Sequence, residues 1–143
     1  MGALVDDARS VETGERIGEH WFGPIDAARL SAYALASGDD NPLHLDPAVA
    51  VAAGLDAPPV HGVLMMSLFE PALRRWRPGV EILRLSAKFL RPIAVGGAVR
   101  VTGRVARAPA APGGEMLLRV TAHGENGELA VLGEVSARDD LAK

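Results

Sequence analysis

The chain has no cysteine, which excludes disulfides, thiolate metal sites and thiol nucleophiles together. Aromatic residues are scarce, at 4% of 143 positions. Few rings make a thin stacking platform, and a net charge of −3 with a pI near 5.8 is not the composition of a nucleic-acid binder. Long hydrophobic runs are also missing. The longest uncharged stretch, Ala57 to Phe69, has 13 residues, whereas a bilayer-spanning helix needs about 20. The first dozen residues carry Asp6, Asp7 and Glu12 and no apolar signal core, so a cytoplasmic protein without membrane attachment is expected.

What is present is an ordinary globular composition, 48% hydrophobic and 23% charged. A chain of this length buries roughly 68–70% of its unfolded surface, enough for one self-sufficient core. No internal repeat or linker divides it. Residues 1–15 are polar and aperiodic and read as a loose lead-in, with residues 16–143 forming the single domain. Charge is unevenly spread: from Arg74 to Arg107 there are nine basic residues against the single acid Glu81. Two readings stand side by side, a solvated strand face and a local positive field for a small polyanion.

The first half reads as helices. Pro24 at an opening turn, Asp26 just inside and the stripe Ile25, Ala28, Leu30, Tyr33 and Ala34 predict a helix that Gly38 ends. Asp46, Pro47 and Gly54 punctuate a second, short one. The nearly unbroken apolar run from His61, continuing through Arg75, predicts a long buried central helix that Pro71 bends or whose regular part it ends. The second half reads as strands. Leu83, Leu85, Ala87 and Phe89 alternate with their neighbours, as do Val99 to Val105, Leu118 to Ala122 and Leu129 to Val135. Asn126-Gly127 signals a type I′ hairpin, and Ile17 to Phe22 adds an N-terminal strand. Helices followed by hairpin-linked strands predict an α+β fold, an antiparallel sheet with helices on one face.

Chemistry concentrates in Ser37-Gly38-Asp39-Asp40-Asn41-Pro42-Leu43-His44-Leu45-Asp46-Pro47. Pro42 restricts Asn41 to extended backbone, so the loop can fold back and bring Asp39 against His44. A carboxylate bonded to an imidazole is an acid–base pair, the carboxylate fixing tautomer and orientation. Ordinary turn chemistry explains the same residues. His61-Gly62, opening an apolar helix, would aim unpaired backbone N–H groups at a ligand carbonyl, or simply provide clearance. The four histidines have no i, i+4 pair and no HExxH spacing, so no metal site is expected. Ser67 lacks a nucleophile-elbow context and reads as a packing hydroxyl, and Met65 and Met66 as core filling.

Taken together, Asp39-x-Asn41-Pro42-x-His44-x-Asp46-Pro47, then His61-Gly62 seventeen residues beyond His44, resembles the MaoC-like (R)-specific enoyl-CoA hydratases. Lys88-Phe89-Leu90-Arg91-Pro92-Ile93 followed by Gly97 is similar to that family's strand pair, and the likeness runs from about Ile17 to Val135. The resemblance implies a single hot-dog domain, a sheet wrapped around a long central helix, usually in a homodimer. It implies reversible hydration of a trans-2-enoyl thioester to the (R)-3-hydroxyacyl thioester, with no cofactor beyond the coenzyme A or acyl carrier protein of the substrate. Asp39 and His44 take the catalytic roles and the Gly62 N–H that of holding the thioester oxygen. Asn41 and His61 are expected at the substrate, with Arg84, Lys88 and Arg91 near its phosphates. Asp40 departs from the apolar or aromatic residue of many relatives. Two other readings remain: a hot-dog thioesterase, and a non-catalytic acyl-thioester-binding subunit.

Overall fold

The structure, a computed structural model, describes residues 10–140. Five strands form one antiparallel sheet: β1 (His20–Phe22), β2 (Val80–Phe89), β3 (Val99–Arg107), β4 (Met116–Gly124) and β5 (Leu129–Asp139), in the order β1-β3-β4-β5-β2. Helices α1 (Ala27–Ser37), α2 (Pro47–Ala52), α3 (Gly62–Ser67) and α4 (Phe69–Trp76) precede the four long strands. Alternation puts Val99, Val101, Val105, Leu118, Val120, Val131 and Val135 on one face, all fully buried. They share a core with Phe69, Ala72 and Leu73 of α4. Gly133 is what lets α4 approach, since a Cβ there would stand 2.3 Å from the Phe69 ring.

Several expectations are corrected in detail. The long central helix is two segments meeting at Leu68. Pro71 has no N–H for a carbonyl one turn back, so regular helix restarts at Phe69 with Pro71 inside the new first turn. Asp26 is the N-cap of α1, accepting from the Arg29 N–H at 2.8 Å, and Pro24 precedes the helix. β2 does not alternate throughout. Its register shifts between Ile82 and Arg84, which turns Leu83 outward. In the β4–β5 turn only glycine has positive φ, so Asn126 cannot adopt type I′ geometry. Gly127 donates to the Gly124 carbonyl with φ +84, a three-residue loop whose last residue is left-handed. The N-terminal strand begins at His20 rather than Ile17 because Gly18, at φ +84, interrupts it.

The lead-in expected over 1–15 lies outside the described residues as far as residue 9. Its remainder is not loose. Val11 is buried, Gly14 donates to the Val105 carbonyl, and Thr13 accepts from Ala108. At the same end of the sheet, Arg77 and Asp139 form a buried ion pair at 2.5 Å that ties the exit of α4 to the end of β5.

Candidate active site

The loop after α1 is built from local hydrogen bonds. Gly38, at φ +80, turns the chain out of the helix, and the Ser37 hydroxyl accepts from the Asp39 N–H at 3.1 Å. The Asn41 carboxamide accepts from the Leu43 N–H at 3.0 Å and caps a single 3₁₀ turn, Pro42–His44. Asp46 caps α2 through the Ala48 N–H at 2.9 Å. Asn41 is thus seen capping the turn that carries His44.

His44 and Asp39 come together, but not by the direct hydrogen bond expected of them. The His44 Nδ1–H donates to the Pro59 carbonyl at 2.8 Å, which leaves Nε2 of the neutral ring as an acceptor. The tautomer is therefore set from the segment before α3 and not by the carboxylate. Behind His44 lies His61, 1% exposed, its ring stacked at a 4.0 Å centroid distance and 21° from parallel. The His61 Nε2–H donates to the Asp39 backbone carbonyl at 3.1 Å, and the Tyr33 ring lies 4.6 Å away, tilted. Such burial puts His61 underneath the site and out of a substrate's reach. Burial also pushes its pKa below the ordinary value, and the neighbouring His44 adds to this, against an opposing effect of the bond to Asp39.

A carboxylate oxygen of Asp39 and one ring nitrogen each of His44 and His61 lie within 4.8 Å of one another, a grouping that the chain spacing of the histidines did not suggest. These three side chains are the ligands any metal ion here would use, and each imidazole already has one nitrogen committed to a backbone carbonyl. Ser67 donates to the Leu64 carbonyl at 2.6 Å and is a packing hydroxyl.

An open groove of about 250 Å³ runs past His44, lined also by Pro59, Gly62, Met65, Phe89 and Arg91. Gly62 is the first residue of α3, where a backbone N–H has no partner within the helix. The Phe89 ring lies directly on it: a Cβ at 62 would stand 2.8 Å from Cδ1. A larger cavity of about 410 Å³ beside the β4–β5 turn shares Arg91 with the groove but offers Glu125 and Glu128 in place of imidazole.

The basic window is largely consumed within the fold. Arg74 pairs with Glu70, Arg77 with Asp139, Arg91 with Glu128 and Arg100 with Glu19, while Arg75 lies over the Phe22 ring. Of the three cations expected at the substrate, only Arg91 reaches the His44 groove. Lys88 lines a separate hollow with Arg119, and Arg84 stands exposed on β2.

The sequence pattern of the MaoC like domain matches residues 11–116. The chain belongs to the MaoC-like family. It is 39% identical over 132 residues to the (R)-specific enoyl-CoA hydratase of Aeromonas caviae, covering 89% of this chain and 94% of that one. A mitochondrial 3-hydroxyacyl-[acyl-carrier-protein] dehydratase of Arabidopsis thaliana is 39% identical over 67 residues, 47% of this chain and 40% of that protein. Among solved structures, the A. caviae (R)-hydratase superposes with a TM-score of 0.81 at 33% identity, covering 92% of this chain and 98% of its own. An R-hydratase of Pseudomonas aeruginosa superposes at 0.78 with 27% identity, over 90% of this chain and 82% of its own. The architecture is accordingly the MaoC-like hot-dog, its sheet wrapped around α3 and α4.

Sequence reasoning missed the Pro59 carbonyl and the stack of His61 on His44. Both partners are fifteen residues or more from His44, and no local spacing signals them. Phe89 was visible as part of an alternating strand and of the strand-pair motif, not as the cover of Gly62.

Proposed function

We propose that this chain adds water reversibly to trans-2-enoyl thioesters to give (R)-3-hydroxyacyl thioesters, acting as a hydro-lyase. One observation carries the reading: a carboxylate oxygen of Asp39 lies within 4.8 Å of a ring nitrogen of His44, and His44, with its Nε2 open, lines the same groove as Gly62. A water held between carboxylate and imidazole loses a proton to that pair as its oxygen attacks C3. Electron density moves to the thioester oxygen, where the Gly62 N–H at the helix start stabilises the enolate charge. The pair then returns the proton to C2. Water is added whole, no electrons are exchanged, and no cofactor is required. In the reverse direction the same groups take the C2 proton and release the hydroxyl as water.

The substrate's carrier is coenzyme A or an acyl carrier protein, both of which present a pantetheine arm ending in phosphate. Arg91, an exposed residue lining the groove, suits that phosphate. The protein acts in the cytoplasm; among the described residues no helix is long and apolar enough to cross a membrane. It works as a homodimer, a reading supported by the outer edge of β2, which has no neighbouring strand among the described residues, and by the exposed Leu83, Phe89 and Leu90 on and just after that strand.

The test is loss of the enoyl-thioester absorbance with crotonyl-CoA and longer enoyl-CoAs, with the same acyl groups on carrier protein as the second arm. Chiral analysis of the product should give the (R) alcohol. An (S) product sinks the reading, as does thioester cleavage with free thiol release, the outcome that would favour a thioesterase. Binding without turnover would favour a non-catalytic subunit.

A further inference from the structure

Two functional side chains that share no hydrogen bond still need a common frame, and one residue touches the backbone of the first and the ring of the second. His61 donates from Nε2 to the Asp39 backbone carbonyl and lays its ring against that of His44. The first contact fixes the backbone from which the Asp39 carboxylate projects. The second confines the His44 imidazole, whose edge is already held by Pro59, to one plane. His61 is itself held. It caps the start of α3 by position, is 1% exposed, and has the Tyr33 ring against it at a 4.6 Å centroid distance. We propose that His61 is a positioning residue that aligns Asp39 and His44 with one another without touching the substrate. The inference rests on the reading of those two residues as the acid–base pair.

The chemistry of the ring favours this use. Its Nδ1 has no hydrogen-bond partner among the described residues, which a neutral imidazole tolerates as an idle lone pair. Protonation would create a buried N–H with no acceptor, next to His44. The titratable groups facing the ring are Asp39 from the loop, His44 from the 3₁₀ turn and Tyr33 from α1. Burial lowers the His61 pKa and so favours the neutral ring, whose Nε2–H meets the Asp39 carbonyl while Nδ1 stays unprotonated.

Two substitutions separate the contacts. His61→Gln keeps a donor near Nε2 but has no ring; His61→Phe keeps a ring but no donor. With crotonyl-CoA each is expected to lower kcat by about tenfold or more while KM stays within about twofold, because misplacement by an ångström costs rate and not binding. The loss should remain after normalising to folded protein, which a merely structural role would not produce. Crystal structures of the variants should show the Asp39 carboxylate displaced in His61→Phe and the His44 ring rotated in His61→Gln. A wild-type kcat per folded molecule, or unmoved Asp39 and His44, overturns the proposal. If His61→Phe does not fold, His61→Gln decides alone. Wild-type protein inactive on enoyl thioesters would instead defeat the functional reading, while the displacement measured in the variants would still decide what His61 does.

Discussion

Gly62 and Phe89 are in contact across the groove, and the space for a Cβ at residue 62 is already filled by the aromatic ring. The glycine at the head of α3 thus leaves room for the Phe89 ring. Phe89 is about half exposed and can swing aside, so the collision is one of function and not of folding. Gly62→Ala should keep a melting temperature within a few degrees of wild type, since alanine favours helix. It should lower kcat/KM on enoyl-CoA by about tenfold as the displaced ring and new methyl crowd the groove. Thermal denaturation beside steady-state kinetics measures both.

Asp39→Asn and His44→Ala should each reduce kcat by about 10²-fold or more, the scale of lost acid–base catalysis. Because the two act on one water, the double variant should be little worse than either single one. Folded variants with near-normal turnover would contradict the pair.

Charge along the groove should act on binding alone. Arg91→Glu should raise KM for the coenzyme A thioester with kcat nearly unchanged, whereas Arg84→Glu and Lys88→Glu, which lie off the groove, should do less. Added salt should shrink the effect, since exposed charges are screened beyond about 8 Å at physiological ionic strength. An N-acetylcysteamine thioester, which lacks the nucleotide, should be insensitive to all three.

Acid should weaken the fold through His61. Its pKa is depressed in the folded state, so below the unfolded value of 6.5 the unfolded chain takes up a proton that the folded one refuses. The His61 contribution is therefore fully present above pH 6.5 and lost as pH falls towards the folded pKa. Chemical denaturation at a series of pH values should show this slope, and His61→Gln should remove part of it.

The open edge of β2 should be covered by a second copy. Light scattering at micromolar protein should give twice the chain mass, and Phe89→Asp with Leu90→Asp should shift the population towards monomer. A wild-type monomer would contradict it.

Much of the fold was legible because its signals are local. Asp46-Pro47 marks a helix start by capping its own first turn, and Val99 to Val105 alternate because successive side chains face opposite ways. Errors arose where a long-range contact overrode a local pattern. Leu83 continues an apolar alternation in sequence, yet the register shift against β5 turns it outward. The N-terminal residues from Val11 look like solvent-exposed polar chain until β3 supplies their hydrogen-bond partners.

The same division runs through the candidate site. Asp39, Asn41, Pro42 and His44 lie within six residues, so the sequence alone determined that they share a loop and that its backbone is turned by capping and proline. It also determined a glycine at the start of α3. Only the tertiary structure decided which atom fixes the His44 tautomer, and that His61 lies beneath the site, because those partners arrive from the segment before α3. Hydrogen bonds and ring stacking act over a few ångströms of space, not over spacing along the chain. Once the sheet and helices close, Pro59 and His61 are neighbours of His44, and the geometry of the candidate site is set.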